Sequence, residues 1–164
     1  MRGGGGQVYR VHAFEPDAVN YKRAAHRQSR YPNVKITQKG LWFDETELLF
    51  APNTDDRAGS SFITGAAGEK YPVPVTSLDA YFKNEAEGGL PTFIKMDIEG
   101  AELGALLGAV EIIRQNKPRL AICAYHKLED IYELPRAILA IRKDYRFALR
   151  QHAPGCWDTV LYAV

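Results

Sequence analysis

Cysteine is scarce in this chain, with only Cys123 and Cys156 in 164 residues. Cys123 sits inside the apolar run Leu120-Ala121-Ile122-Cys123-Ala124, and Cys156 follows a Pro-Gly turn. A disulfide framework is excluded, and the two read as free thiols of a reducing compartment. Histidine numbers only four, and no two histidines or cysteines fall at metal-ligand spacing, so no metal site is expected. An excess of either charge is also missing. Twenty-one Lys and Arg face twenty Asp and Glu for a net charge of +1, and the basic residues are scattered. No nucleic acid partner is expected, because such a partner needs a concentrated basic face. No run approaches the ~18–20 apolar residues of a membrane span, so no membrane association is expected. The N-terminus carries no apolar signal region, and the expected location is cytoplasmic.

What is present is ordinary globular composition, 46% apolar and 25% charged, which predicts a single domain. A chain of this size hides roughly 68–70% of its unfolded surface, enough for a core without staples. Gly3 to Gly6 read as a flexible start, and residues 7–164 as the domain.

Gln7 to Phe14 is β-branched and aromatic and stops at Glu15-Pro16-Asp17, a strand followed by a helix start. Pro16 suits the first helical turn and Asp17 the positive end of its dipole. A polar helix runs from Ala18 to about Arg30, followed by strands at 34–37 and 47–50. Residues 51–70 read as hairpins and a mobile loop, and 71–75 as extended chain. A short helix capped by Thr76 or Ser77 reaches Asn84. Thr92 to Asp97 is a buried strand, after which Leu103, Leu106, Leu107, Val110 and Ile113 keep the i, i+3, i+4, i+7 spacing of one helix ending near Pro118. A strand at 119–125, a helix at 133–143 and strands at 146–150 and 159–164 complete the chain. This alternation implies an α/β fold with a mostly parallel sheet, helices on both faces and an antiparallel C-terminal strand pair.

In open α/β sheets ligands bind beyond the carboxyl ends of the strands. Glu15 stands at the first such end, where a carboxylate can accept from the vicinal hydroxyls of a ribose or simply favour the helix dipole. Asp97, Glu99 and Glu102 crowd a strand end and the first helical turn, either to position a polar group or as helix N-terminal charges. His126, between Tyr125 and Lys127, is a candidate general base or a hydrogen-bonded structural residue.

His12-Ala13-Phe14-Glu15-Pro16-Asp17 together with Phe93-Ile94-Lys95-Met96-Asp97-Ile98-Glu99-Gly100-Ala101-Glu102 resembles the FkbM family of S-adenosylmethionine-dependent methyltransferases. Leu106-Leu107-Gly108-Ala109, Lys117-Pro118 and Ala124-Tyr125-His126-Lys127 are similar to the same family, so the resemblance spans residues 8–164. It implies a Rossmann-like class I methyltransferase fold and S-adenosylmethionine as cofactor. Glu15 and Phe14 would lie at the ribose, Leu41 and Trp42 near the adenine, and Asp97 at the methionine end or the acceptor. Asp97 and His126 are the expected catalytic residues. The acceptor is expected to be a hydroxyl on a sugar or small metabolite, with residues 51–75 facing it.

Such methyltransferases begin with a strand ending in an acid and a Gly-rich turn upstream of the Glu15 strand. Gly3 to Gly6 precede that strand directly and do not replace the turn. The expectation is a domain lacking its first strand, with weak or absent cofactor binding and homodimerisation through exposed strand edges. The alternative is a catalytically silent Rossmann-like binding or assembly module.

Overall fold

The structure, a computed structural model, describes residues 9–51, 70–86, 88–154 and 158–164. The glycine run, Gln7 and Val8, most of the 51–70 loop and Cys156 lie outside the described residues. In chain order the elements are β1 (Val11–Phe14), α1 (Ala18–Gln28), β2 (Val34–Thr37), β3 (Gly40–Leu41), β4 (Thr46–Phe50), β5 (Tyr71–Thr76) and α2 (Leu78–Asn84). They continue with β6 (Phe93–Met96), α3 (Glu102–Leu107), α4 (Val110–Asn116), β7 (Arg119–Cys123), α5 (Asp130–Ile141), β8 (Phe147–Gln151) and β9 (Thr159–Ala163).

Among the described residues these strands form three sheets, ordered β1-β2, β3-β5-β4 and β6-β7-β9-β8. Parallel pairing joins β1 to β2, β3 to β5 and β6 to β7, while β4–β5, β7–β9 and β8–β9 are antiparallel. The mostly parallel sheet expected from the alternation is therefore corrected to a mixed arrangement. The C-terminal pair is antiparallel as expected, in register from Phe147↔Ala163 to Gln151↔Thr159. Its connection is too short for the crossover of a dozen or more residues that a parallel return needs. β9 then adds antiparallel to β7 as well, which places it inside the sheet and leaves β8 at the edge.

The core gathers Ile94 and Met96 of β6, Leu120 and Ile122 of β7, Leu161 and Ala163 of β9, Leu106 of α3, Ile112 and Ile113 of α4, and Leu134 and Ile138 of α5. Tyr81 of α2 is fully buried and ties the β1–β2 pair to the rest. Its hydroxyl meets His12 Nδ1 at 2.9 Å, and its ring stacks edge-on against Phe14 at 4.8 Å.

One local expectation shifts by a small step and another narrows. Asp17 is the N-cap of α1, accepting from the Val19 and Asn20 amides, so Pro16 stands outside the helix rather than in its first turn. Of the two expected caps of α2 it is Ser77 that serves, its hydroxyl accepting from Ala80 N–H.

The single helix expected after Gly100 is instead two, α3 and α4, parted at Gly108 and Ala109. The break is imposed from outside. Gly108 O accepts from Asp79 N–H, and the Asp79 carboxylate accepts from Glu111 and Ile112 N–H, so a residue of α2 caps the start of α4. Gly108 lies so close to Trp42 that a Cβ there would meet the Trp42 carbonyl oxygen at 2.1 Å. The buried face of α3 is also rotated from the leucine stripe. Glu102, Ala105, Leu106 and Ala109 are buried, while Leu107 is 50% exposed. Small residues decide this, because the Trp42 ring lies over Gly104 where an added Cβ would come within 2.3 Å.

Candidate functional site

The parallel pairing of β6 and β7 puts their carboxyl ends side by side. Asp97 follows β6, and Ala124-Tyr125-His126 follows β7. The chain then turns through Ile98 to Ala101, closed by the bond from Ala101 N–H to Ile98 O. Glu99 and Gly100 both take positive φ, 57° and 90°. Two such residues in sequence reverse the chain tightly, and glycine carries the second at no steric cost. Lys127 Nζ donates to the Gly100 carbonyl at 2.6 Å and fastens the turn to the segment after β7.

Three carboxylates meet one imidazole here. His126 Nδ1 lies 3.0 Å from Glu102 Oε1, and Nε2 lies 3.3 Å from Glu99 Oε2 and 3.7 Å from Asp97 Oδ1. The His126 side chain is 9% exposed and that of Glu102 is fully buried, whereas Asp97 and Glu99 are about one-third open. Burial pulls the His126 pKa down, but Glu102, Glu99 and Asp97 together outweigh it and hold it above the ordinary histidine value. Burial pushes Asp97 upward, but the Cys123 thiol, Lys95 and His126 outweigh this and keep it below the usual carboxylate range. Its Oδ2 pairs with Lys95 Nζ at 3.2 Å, and its Oδ1 accepts from the Tyr125 hydroxyl at 3.2 Å. Glu99 is raised, chiefly by burial, and the Cys123 thiol is pushed up to about 12, chiefly by burial and then by Asp97. The arrangement sets Asp97, held below the usual carboxylate range, beside an imidazole held above the ordinary histidine value. Among the described residues, no group of three or more His, Cys, Asp or Glu side chains is arranged to hold a metal ion.

Glu15 stands at the carboxyl end of β1, in a different sheet from Asp97. Its backbone continues the pairing with β2 through the bond from Glu15 N–H to Thr37 O, and its Oε1 accepts from Asp17 N–H at 2.9 Å. Burial raises its pKa, partly offset by that amide. Asp17 caps α1, and Glu15 accepts from the amide of that cap residue. Phe14 packs on Tyr81, Leu41 is part of the buried core, and Trp42 lies across Gly104.

Sequence reading did not foresee the burial of Glu102 and left Asp130 aside. Glu102 looked like a helix-end charge, yet it shares the buried face of α3 with Ala105, Leu106 and Ala109. The i, i+3, i+4, i+7 spacing of Glu102 with the apolar Ala105, Leu106 and Ala109 was the available signal. Asp130 is also buried and accepts from Lys127 N–H; its pKa is raised by burial first and then by Glu102.

A mixed α/β fold with titratable side chains at the carboxyl ends of adjacent parallel strands defines a ligand-binding class, not yet a reaction. The family model for the methyltransferase FkbM domain matches residues 1–149, and the chain belongs to that family. The fold is similar to the crystal structure of a methyltransferase FkbM from Methylobacillus flagellatus KT, with a TM-score of 0.70 and 33% identity. The match covers 94% of this chain and 36% of that one, so the chain spans about a third of the length of that relative. No functionally curated protein matches the chain significantly. Among the described residues no helix is long and apolar enough to cross a membrane.

Proposed function

We propose that the chain serves S-adenosylmethionine-dependent methyl transfer to a hydroxyl of a sugar or small metabolite, in a Rossmann-like class I setting. The observation that carries this reading is His126 Nε2 facing Asp97 and Glu99 at the ends of β6 and β7. The donor set suits the cofactor. Glu15 offers a half-buried carboxylate whose Oε2 can accept from ribose hydroxyls, as strand-end acids do in dinucleotide folds. Leu41 and Trp42 would flank the adenine, with Phe14 beside Glu15, and Asp97 would meet the methionine end or the acceptor. When bound, the cofactor supplies an electrophilic methyl group. The protein's task is then alignment and proton management. His126 Nε2 takes the hydroxyl proton of the acceptor, and Asp97 orients that acceptor. The free, buried Cys123 suits a reducing, cytoplasmic compartment.

A second reading, a binding or assembly module without turnover, draws support from the separation of β1 and β6 into different sheets. Glu15 and Asp97 are then not held in one hydrogen-bonded ladder, and cofactor affinity is expected to be weaker than low micromolar. Calorimetric titration with S-adenosylhomocysteine tests both readings. Saturable but weak binding, lost in Glu15→Ala, supports the ribose assignment, and equal affinity in that variant overturns it. Methyl transfer to a panel of sugars and small hydroxylated compounds then separates enzyme from silent module. His126→Ala should lower turnover about 10²-fold or more if His126 is the base.

A further inference from the structure

The sheet β6-β7-β9-β8 has two unlike faces, because side chains alternate along each strand. Ile94, Met96, Leu120, Ile122, Leu161 and Ala163 point to one face and enter the core with α3, α4 and α5. Their neighbours along the chain point to the other. Strand pairing sets these in rows: Lys95 beside Ala121, Tyr162 and Ala148, and Cys123 beside Val160 and Arg150. Arg146 and Val164 exchange backbone bonds and so extend the ladder by one row, level with Phe93 and Arg119. This second face is open. Phe93 is 54% and Val164 49% exposed, Arg119, Arg146, Ala148 and Arg150 are exposed, and Val160 and Tyr162 are half-buried. Ala121 and Cys123, on the inner strand β7, are buried.

Charge is as uneven as burial. Lys95 pairs with Asp97, and elsewhere Lys39 finds Glu85 while Lys117 and Arg142 find Asp144. Arg119, Arg146 and Arg150 have no ion pair among the described residues, in a chain whose net charge is only +1. Three unpaired guanidinium groups therefore border one apolar ground. Arg119 and Arg146 stand at one end of the strands and Arg150 toward the other.

We propose that this face docks an amphipathic helix of a partner polypeptide, one whose apolar stripe is flanked by Asp or Glu. Sheets containing parallel strands are ordinarily covered on both faces, and helices are what covers them. The short side chains of Ala121 and Ala148 admit a close approach between the larger Phe93 and Tyr162. β7, β8 and β9 each run five residues, about 17 Å, which a helix of about eleven residues matches in length. Carboxylates beside the stripe would meet the arginines, whose planar forks suit them. A single-stranded nucleic acid fits less well, because it asks for cations along its track and several open ring faces to stack on. The ground between the arginines is instead alanine and valine, and the Tyr162 hydroxyl lies 2.9 Å from His152 Nε2.

The test uses the intact chain and a synthetic peptide of about fifteen residues, long enough to populate a helix, with leucines at i, i+3, i+4 and i+7 and glutamates on either side. Followed by ¹⁵N–¹H spectra, saturable shifts are expected at Ala121, Ala148, Val160 and Tyr162. No saturable shift, or shifts confined to other parts of the chain, overturns the proposal. Anisotropy of the labelled peptide should show affinity falling about tenfold or more when Arg119→Gln and Arg150→Gln are combined. Both side chains are exposed and have no ion pair to lose among the described residues, so the variant is expected to fold; undiminished affinity in it overturns the proposal. A peptide of the same composition in scrambled order should bind about tenfold more weakly or worse, and equal binding reduces the contact to charge attraction without a helix. Tighter binding of a single-stranded oligonucleotide than of the peptide would assign the face to nucleic acid and overturn the proposal as well.

Discussion

At the residue scale, His126 couples stability to pH. Burial lowers its pKa, but Glu102, Glu99 and Asp97 together raise it further, so the folded state binds the proton more tightly than the unfolded chain. The unfolded reference lies near about 6.5. The stabilisation is thus fully present below that value and is lost as pH rises through the higher folded value. Urea midpoints should fall across that window, and His126→Asn should flatten the profile. A profile identical in the two proteins would show that His126 is not the group responsible. Over the same range neutral His126 accumulates, so under the proposed role of His126 methyl transfer should increase while stability declines. Steric closeness makes a second residue-scale prediction. A Cβ at Gly104 would meet the Trp42 ring at 2.3 Å, and one at Gly108 the Trp42 carbonyl oxygen at 2.1 Å. Gly104→Ala and Gly108→Ala should each cost about 1–3 kcal/mol by chemical denaturation, as overpacked cores do. Gly108→Ala should be the worse of the two, because its neighbour is backbone and not a ring that can tilt.

At the scale of elements, the division between α3 and α4 depends on α2. Asp79 accepts from the Glu111 and Ile112 amides at 2.9 and 3.0 Å and so supplies the cap that Ala109 lacks. Asp79→Ala should cost about 0.5–2 kcal/mol, the usual value of a lost side-chain cap. Amide exchange should quicken at Glu111 and Ile112 while that of α5 stays unchanged. Uniform acceleration across both helices would mean that the cap is not what the substitution removed. The apolar positions Leu103, Leu106, Leu107, Val110 and Ile113 suggested one uninterrupted helix, and Gly108 within the run does not by itself fix a break. The break is legible only once Asp79 and Trp42 are seen against Gly108.

At the scale of the whole molecule, the three sheets leave edges that shape association. Among the described residues β1 pairs with β2 alone and β6 with β7 alone, and Val11 and Phe93 at their starts are 45% and 54% exposed. Strand edges of this kind are templates for another chain. We therefore propose homodimerisation through them, seen as a concentration-dependent shift in sedimentation velocity. A monomer at every concentration would exclude it.

The sequence by itself determined most of the order of elements, the approximate starts of α1 and α2 and the antiparallel C-terminal pair, because periodicity, capping preference and short turns act over a few residues. It also placed Glu15, Asp97 and His126 at strand ends, since a strand's end is a local property. Tertiary structure alone decided which face of α3 is buried, where the helix breaks, how the strands divide into sheets, and that Glu102 lies against His126. Each of these turns on contacts between distant parts of the chain, such as Asp79 with Ile112 or Trp42 with Gly104. A buried carboxylate and an exposed one look alike in a sequence. Packing decides whether that charge meets water or an imidazole.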